Sequence, residues 1–183
     1  MPPSDVDLIC ADCLQQPPSF DKIYSPFIYA QPIEWMIQQL KFNHKLYFGK
    51  LLAAQMWQHK ADMAIAECII PMPLHPKRLR QRGFNQSMEL AHELSRLSGM
   101  SVDDHICQRI IHTETQTGQD AKHRRRNIRG AFRYNMGLNE YRHVIIVDDV
   151  ITTGSTVMEL ANTLKQKGIE RVDVWSVARA GRN

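Results

Sequence analysis

The chain reads as an α/β protein whose parallel or mixed sheet is covered by helices on both faces. Two observations carry this. Val144-Ile145-Ile146-Val147 is a β-branched run apolar at every position, the pattern of a strand buried on both sides. This run and a second one, Glu67 to Met72, are each followed by a loop and then by apolar residues at helical spacing. Strands that alternate with helices in this way build parallel sheets.

The stretch that begins at Val144 is the most informative. Asp148 and Asp149 follow the apolar run, then Val150, Ile151 and the cluster Thr152, Thr153, Gly154, Ser155 and Thr156. Val157, Leu160, Ala161 and Leu164 then mark one face of a helix. A phosphate monoester needs many donors in a tight concavity, and backbone N–H groups at a helix N-terminus supply them. Gly154 lets the backbone come close, and the four hydroxyls add donors. Carboxylates do not favour phosphate, so Asp148 and Asp149 should face vicinal hydroxyls. Together these features describe a site for a ribose 5-phosphate group. An acidic strand end beside a helix capped by Thr153 or Ser155 would look similar over part of the stretch.

Composition sets the wider limits. At 183 residues, 43% hydrophobic and 23% charged, the chain has the profile of one globular domain with a small appendage. No apolar run approaches the roughly 20 residues that span a bilayer, so no membrane insertion is expected. Met1 to Ile9 has neither a basic region nor an apolar core, and the expected location is the cytoplasm. The net charge is +4, but it is uneven. Leu74 to Met88 contains Lys77, Arg78, Arg80 and Arg82 and no acid. Ala121 to Asn139 contains Lys122, Arg124, Arg125, Arg126, Arg129 and Arg133 and again no acid. Such runs are often solvated faces; beside a sugar-phosphate motif they point to a polyanionic ligand.

In chain order, Cys10 and Cys13 form a CxxC pair with no partner pair to complete a zinc tetrahedron, while Cys68 and Cys107 are isolated among apolar neighbours. Phe20 to Tyr29 suggests one or two strands, with Pro26 at an edge or turn. Pro32 suits a first helical position, ahead of a face formed by Ile33, Met36, Ile37 and Leu40. A second helix is expected from Leu46 to His59, burying Leu51, Leu52 and Met56. Trp35, Tyr47 and Trp57 read as core or rim aromatics. Pro73 to Ser87 reads as a loop rich in Pro and Arg. Asn85 or Ser87 would cap the following helix and Gly99 would stop it. A third strand is expected near Ile106 to Ile111, a mobile loop from Thr113 to Lys122, and a last strand from Arg171 to Val177 after a helix ended by Gly168.

Val144 to Thr156 resembles the 5-phosphoribosyl 1-diphosphate (PRPP) motif of type I phosphoribosyltransferases. The chain as a whole resembles the ComF family of phosphoribosyltransferase-like proteins, GntX-like and associated with natural competence. Three blocks carry the match: Pro73-Leu74-His75 through Arg82-Gly83-Phe84-Asn85-Gln86-Ser87; Arg109 with Gln116, Arg126-Asn127 and Ala131-Phe132; and Val144 to Thr156. Cys10, Cys13, Pro17-Pro18, Phe20-Asp21 and Leu40-Lys41-Phe42 look like the family's linker from a zinc module.

The resemblance implies a type I phosphoribosyltransferase-like fold over residues 21–183. Residues 21–60 would be hood or flanking helices, and residues 1–20 the remnant of the linker. It implies catalytic and ribose-binding roles for Asp148 and Asp149, a PRPP loop from Val150 to Thr156, and a diphosphate loop at Pro73, Leu74 and His75. Lys77, Arg78, Arg80 and the run Arg124 to Arg126 would supply cations to the diphosphate, with Mg²⁺ as cofactor. Gln116 to Arg126 would match the flexible hood-side loop that closes over the site. Single-stranded DNA and a protein of the competence machinery are the implied partners. Arg80, Arg82, Arg124, Arg125, Arg126 and Arg129 are the nucleic-acid candidates. The family usually carries several CxxC pairs; the single pair here leaves a zinc site incomplete. The implied role is DNA uptake, with phosphoribosyl transfer to an unidentified acceptor as the alternative.

Overall fold

The computed structural model describes residues 17–59, 66–112, 127–135 and 140–180. Its centre is a six-stranded sheet in which every pairing is parallel. In chain order the strands are β1 (Lys22–Tyr24), β2 (Phe27–Ile28), β3 (Cys68–Pro71), β4 (Ser101–Val102), β7 (His143–Ile151) and β8 (Arg171–Arg179). They lie side by side as β1-β8-β7-β3-β4, with β2 continuing along β8 beyond β1. A separate antiparallel ribbon joins β5 (Cys107–Arg109) to β6 (Phe132–Tyr134).

Both faces of β7 are apolar, so both must be covered. Val144, Ile145, Ile146 and Val147 are fully buried. On one face lies α5 (Ser155–Lys165) with Val157, Leu160, Ala161 and Leu164, together with Ile106, Cys107 and Phe132 at the ribbon. On the other lie α1 (Ile33–Asn43), α2 (Tyr47–Gln58) and α4 (Gln86–Ser98). They contribute Ile37, then Leu52, Ala53 and Met56, then Leu90, Ala91 and Leu94. This is the α/β arrangement read from the sequence. Cys68 and Cys107 are buried and free, and burial pushes the Cys107 thiol up to about 12.

Several boundaries differ from the sequence reading. The Pro- and Arg-rich segment expected as a loop contains α3 (Pro76–Arg82). Pro76 sits at its first turn, His75 Nδ1 accepts from the Lys77 N–H at 3.2 Å, and Gly83 stops it at φ 79°. Leu51, expected inside, is 42% exposed, because the buried stripe of α2 runs through Phe48, Leu52 and Met56 instead. The strand expected near Ile106 to Ile111 is β5, outside the main sheet, while β4 takes the edge beside β3. Pro32 is the N-cap of α1 rather than its first helical residue. β8 runs two residues past Val177. Cys10, Cys13 and residues 113–126 lie outside the described residues.

Leu160→Ala should lower the unfolding free energy by about 2–5 kcal/mol, whereas Leu51→Ala should change it by less than about 0.5 kcal/mol. Urea unfolding of both variants checks the contrast between the buried and the exposed leucine.

Candidate functional site

β3 and β7 are hydrogen-bonded neighbours, with Cys68 opposite Val144 and Pro71 opposite Val147. Beyond them the chain leaves in opposite directions. From β3 it passes through α3 and α4 to β4 on one side; from β7 it passes through α5 to β8 on the other. In open α/β sheets ligands bind at such a switch, outside the carboxyl ends of the strands. The Met72 N–H donates to Val147 O at 2.8 Å, so the loop at Pro73 to His75 begins beside the segment that leads to Asp148.

The acidic pair belongs to the strand, which was expected to end before it. β7 continues through Asp148, which pairs with Ser176, to Ile151, which pairs with Arg179. Asp149 is 4% exposed, and its Oδ2 is engaged by the ammonium of Lys41 from α1. Its Oδ1 accepts from the Val150 N–H at 2.9 Å. Asp148 Oδ1 accepts from the Asp149 N–H at 2.9 Å and from the Ser87 hydroxyl of α4 at 3.1 Å. Burial first, and then the negative charge of Asp149, push the Asp148 carboxyl up to about 7, with Lys41 opposing. Asn85 fixes the start of α4 by accepting from the Ser87 N–H at 3.0 Å and donating to Met72 O at 3.1 Å. It thereby ties the first loop to the helix that holds Ser87.

The hydroxyl cluster forms a small open concavity of about 40 Å³, lined by Asp148, Val150, Ile151 and residues 152–157. Gly154 begins α5 at φ 74°, a conformation that side chains with a Cβ rarely adopt. Thr153 Oγ1 lies 2.9 Å from the buried Ser155 Oγ. Thr152 is exposed at the rim. Ile151 faces the core at 3% exposure, and its carbonyl accepts from the Ala180 N–H at 2.9 Å, so its side chain is structural.

Basic residues gather around the first loop. The His75 ring meets the His112 ring edge-on at 5.0 Å, and its pKa is lowered by desolvation and then by His112, Lys77, Arg109 and Arg80. Arg109 of β5 is 9% exposed, with its guanidinium 5.9 Å from the Phe132 ring. Burial and the charge of Arg78 lower its pKa, and Asp148 opposes them, so Arg109 lies within electrostatic reach of α3 and of the end of β7. Arg82 is half-buried and lies 5.6 Å over the Phe42 ring, with Asp149 favouring its charge. Lys77 and Arg80 are exposed on α3. Arg129 is exposed in the other layer, where the neighbouring Gly130 N–H donates to Glu159 of α5. Arg124, Arg125 and Arg126 lie outside the described residues. Lys41, Ser87 and Arg109 are the side chains that sequence reasoning did not place at the site. In the sequence Ser87 reads as a cap and as part of a matched block, Arg109 as part of a matched block, and Lys41 as part of the linker from a zinc module.

The Asp148 carboxyl has its folded pKa above its ordinary value of 3.8. Its protonation therefore contributes stability that is complete below about pH 4 and lost as pH rises through about 7. Asp148→Asn should be more stable than the parent at pH 8, with the difference closing by pH 5. Urea midpoints across that range check it; parallel curves would refute the assignment.

No family model matches the chain. Among curated proteins, competence protein F of Haemophilus influenzae is 39% identical over 93% of this chain and 78% of its own length. DNA utilization protein YhgH of Escherichia coli O157:H7 is 36% identical over 98% of this chain and 81% of its own. Competence protein ComFC of Streptococcus pneumoniae is 23% identical over 84% and 66%. Among solved structures, the glutamine PRPP amidotransferase of B. subtilis, complexed with ADP and GMP, matches with a TM-score of 0.48 and 19% identity. That match covers 70% of this chain and 26% of the enzyme. By its likeness to competence protein F and the YhgH protein over nearly its whole length, this chain belongs to the ComF family.

Proposed function

We propose that the chain binds a phosphoribosyl ligand of the PRPP type, together with Mg²⁺, and serves DNA uptake by handling single-stranded DNA in the cytoplasm. One observation carries the ligand reading: the acidic pair with its hydroxyl loop, and the loop at Pro73 to His75, open side by side at the switch between β3 and β7. The 5-phosphate belongs at Thr152 to Thr156, where hydroxyls and the start of α5 converge. The ribose hydroxyls belong at Asp148 and Asp149. The diphosphate belongs toward Pro73, Leu74 and His75, where Lys77, Arg78 and Arg109 can neutralise it.

Mg²⁺ takes oxygen ligands and keeps several waters. Asp148 fits it as a hydrogen-bonded carboxylate whose ionisation a nearby cation would favour. Asp149 already has Lys41. Bound there, the ion would screen diphosphate charge.

The DNA role is supported by the names of the relatives, which speak of competence and DNA utilization. A protein of the competence machinery is the corresponding partner. Among the described residues no helix is long and apolar enough to cross a membrane. The intact acidic pair and loop also support a second reading, phosphoribosyl transfer to an acceptor. In that reaction the bond from C1 to the diphosphate breaks as a bond from C1 to the acceptor forms.

Isothermal titration should show Mg·PRPP binding by the parent, weakened roughly tenfold or more in Asp148→Asn and Asp149→Asn. Unchanged affinity in both would overturn the ligand reading. Single-strand affinity should fall with salt at a slope of about −3.5 if about five phosphates are neutralised. A slope near zero would count against the DNA role.

A further inference from the structure

We propose that single-stranded DNA binds across the face formed by the exposed side of α1, the start of α2, and α3, with its bases on exposed rings and its phosphates on the flanking cations. This rests on the DNA-handling reading above and assigns it a surface.

The sequence has a second acid-free stretch on this side of the molecule. Residues 35–58 contain no Asp or Glu; Lys45 and Lys50 are exposed there, while Lys41 is turned inward onto Asp149. Residues 68–88 likewise contain none, but carry Lys77, Arg78, Arg80 and Arg82. Folding joins these two stretches. The Arg82 guanidinium lies 5.6 Å over the Phe42 ring, and the His44 ring lies 5.2 Å from that of Phe84. Arg129, from the other basic stretch, lies in the other layer, beside Gly130 and Glu159 of α5.

Large rings remain uncovered on this face. Phe42 is 66% exposed, Tyr47 58% and Trp35 44%. Trp35 and Phe42 are seven residues apart on α1, hence on the same side of the helix and about 10 Å apart along it. Trp35 and Tyr47 both pack on the buried Phe48 ring, with ring centroids at 5.2 Å and 4.4 Å, so both rings stand where α1 meets the start of α2. At its far end Glu34 is held by Gln38 at 3.2 Å.

Charge complementarity selects the occupant. A patch of rings alone would suit an apolar protein partner; one flanked by Lys45, Lys77, Arg78, Arg80 and Arg82 suits a polyanion, although Glu89 of α4 lies against Gly49 and Glu93 near Lys50. Rings need open base faces to stack on, and a duplex keeps those faces inside its stack, so the polyanion is single-stranded. Each stacked base contributes sequence-tolerant affinity, and each neutralised phosphate contributes a salt-dependent share.

The test is fluorescence anisotropy of a short labelled oligothymidylate on the full chain, with Mg·PRPP titration run on the same preparations. Phe42→Ala and Tyr47→Ala should each weaken oligonucleotide binding roughly tenfold. Arg142→Gln, at the opposite end of the sheet, should leave it unchanged, and Mg·PRPP affinity should stay at the parent value in Phe42→Ala. Trp35 fluorescence should be quenched by the oligonucleotide, a signal absent from Trp35→Phe. Duplex of equal length should compete poorly. A parent that binds the oligonucleotide while Phe42→Ala and Tyr47→Ala keep full affinity would overturn this surface and leave the DNA role standing. A parent that binds no oligonucleotide would overturn both. Sedimentation showing that Phe42→Ala dissociates a dimer would assign the patch to a second copy of the chain instead.

Discussion

The structure depends on a central strand that is apolar on both faces and hydrogen-bonded on both edges. Between β3 and β8, every backbone group of the buried part of β7 finds its partner in a ladder, so the strand can sit fully out of water. Its side chains then impose the layers. One face needs the stripe of α5; the other needs α1, α2 and α4 together, because α2 packs against both of its neighbours and the three close the sheet. Where the strand runs out of apolar residues it is still paired with β8. The acidic pair is therefore delivered at a fixed register, opposite Ser176 and its neighbours, rather than on a free loop.

Two adjacent carboxylates at the end of such a strand are an electrostatic liability. Both cannot be ionised cheaply in a poorly hydrated place. The molecule handles them differently. Asp149 lies against the ammonium of Lys41, a charge brought in by a helix from a distant part of the chain. Asp148 takes hydrogen bonds from the Asp149 N–H and Ser87, and its pKa is raised. With Arg109 and Arg78 within electrostatic reach, the site has cations on one side and a protonatable carboxyl on the other. A ligand with hydroxyls at one end and anionic oxygens at the other matches that polarity.

The strand, the hydroxyl turn and the helix after it were legible because each rests on local pattern. Val144 to Val147 has no polar position, and Val157, Leu160, Ala161 and Leu164 repeat at helical spacing. Gly99 and Asn85 as caps were legible for the same reason, and both act so. What was not legible depends on tertiary pairing. Nothing local says that Lys41 meets Asp149, or that β5 leaves the sheet while Ser101–Val102 enters it. Two prolines and four cations disguised α3, although a single proline at a first turn favours a helix. Leu51 and Leu52 are adjacent and equally apolar; only the direction of α2 decides which is buried.

Lys41 and Phe42 show how one turn of helix serves two environments. They are consecutive on α1, so their side chains diverge by about 100°. Lys41 reaches inward to Asp149, and Phe42 lies outward beneath Arg82, whose own charge is favoured by Asp149. The charge of Asp149 thus acts on a residue of α1, Lys41, and on a residue of α3, Arg82. A ligand that takes up Asp149 must compete with Lys41, and a polyanion that takes up Arg82 must compete with its attraction to Asp149. Linkage then requires that whatever free energy either event transmits to the other be the same in both directions.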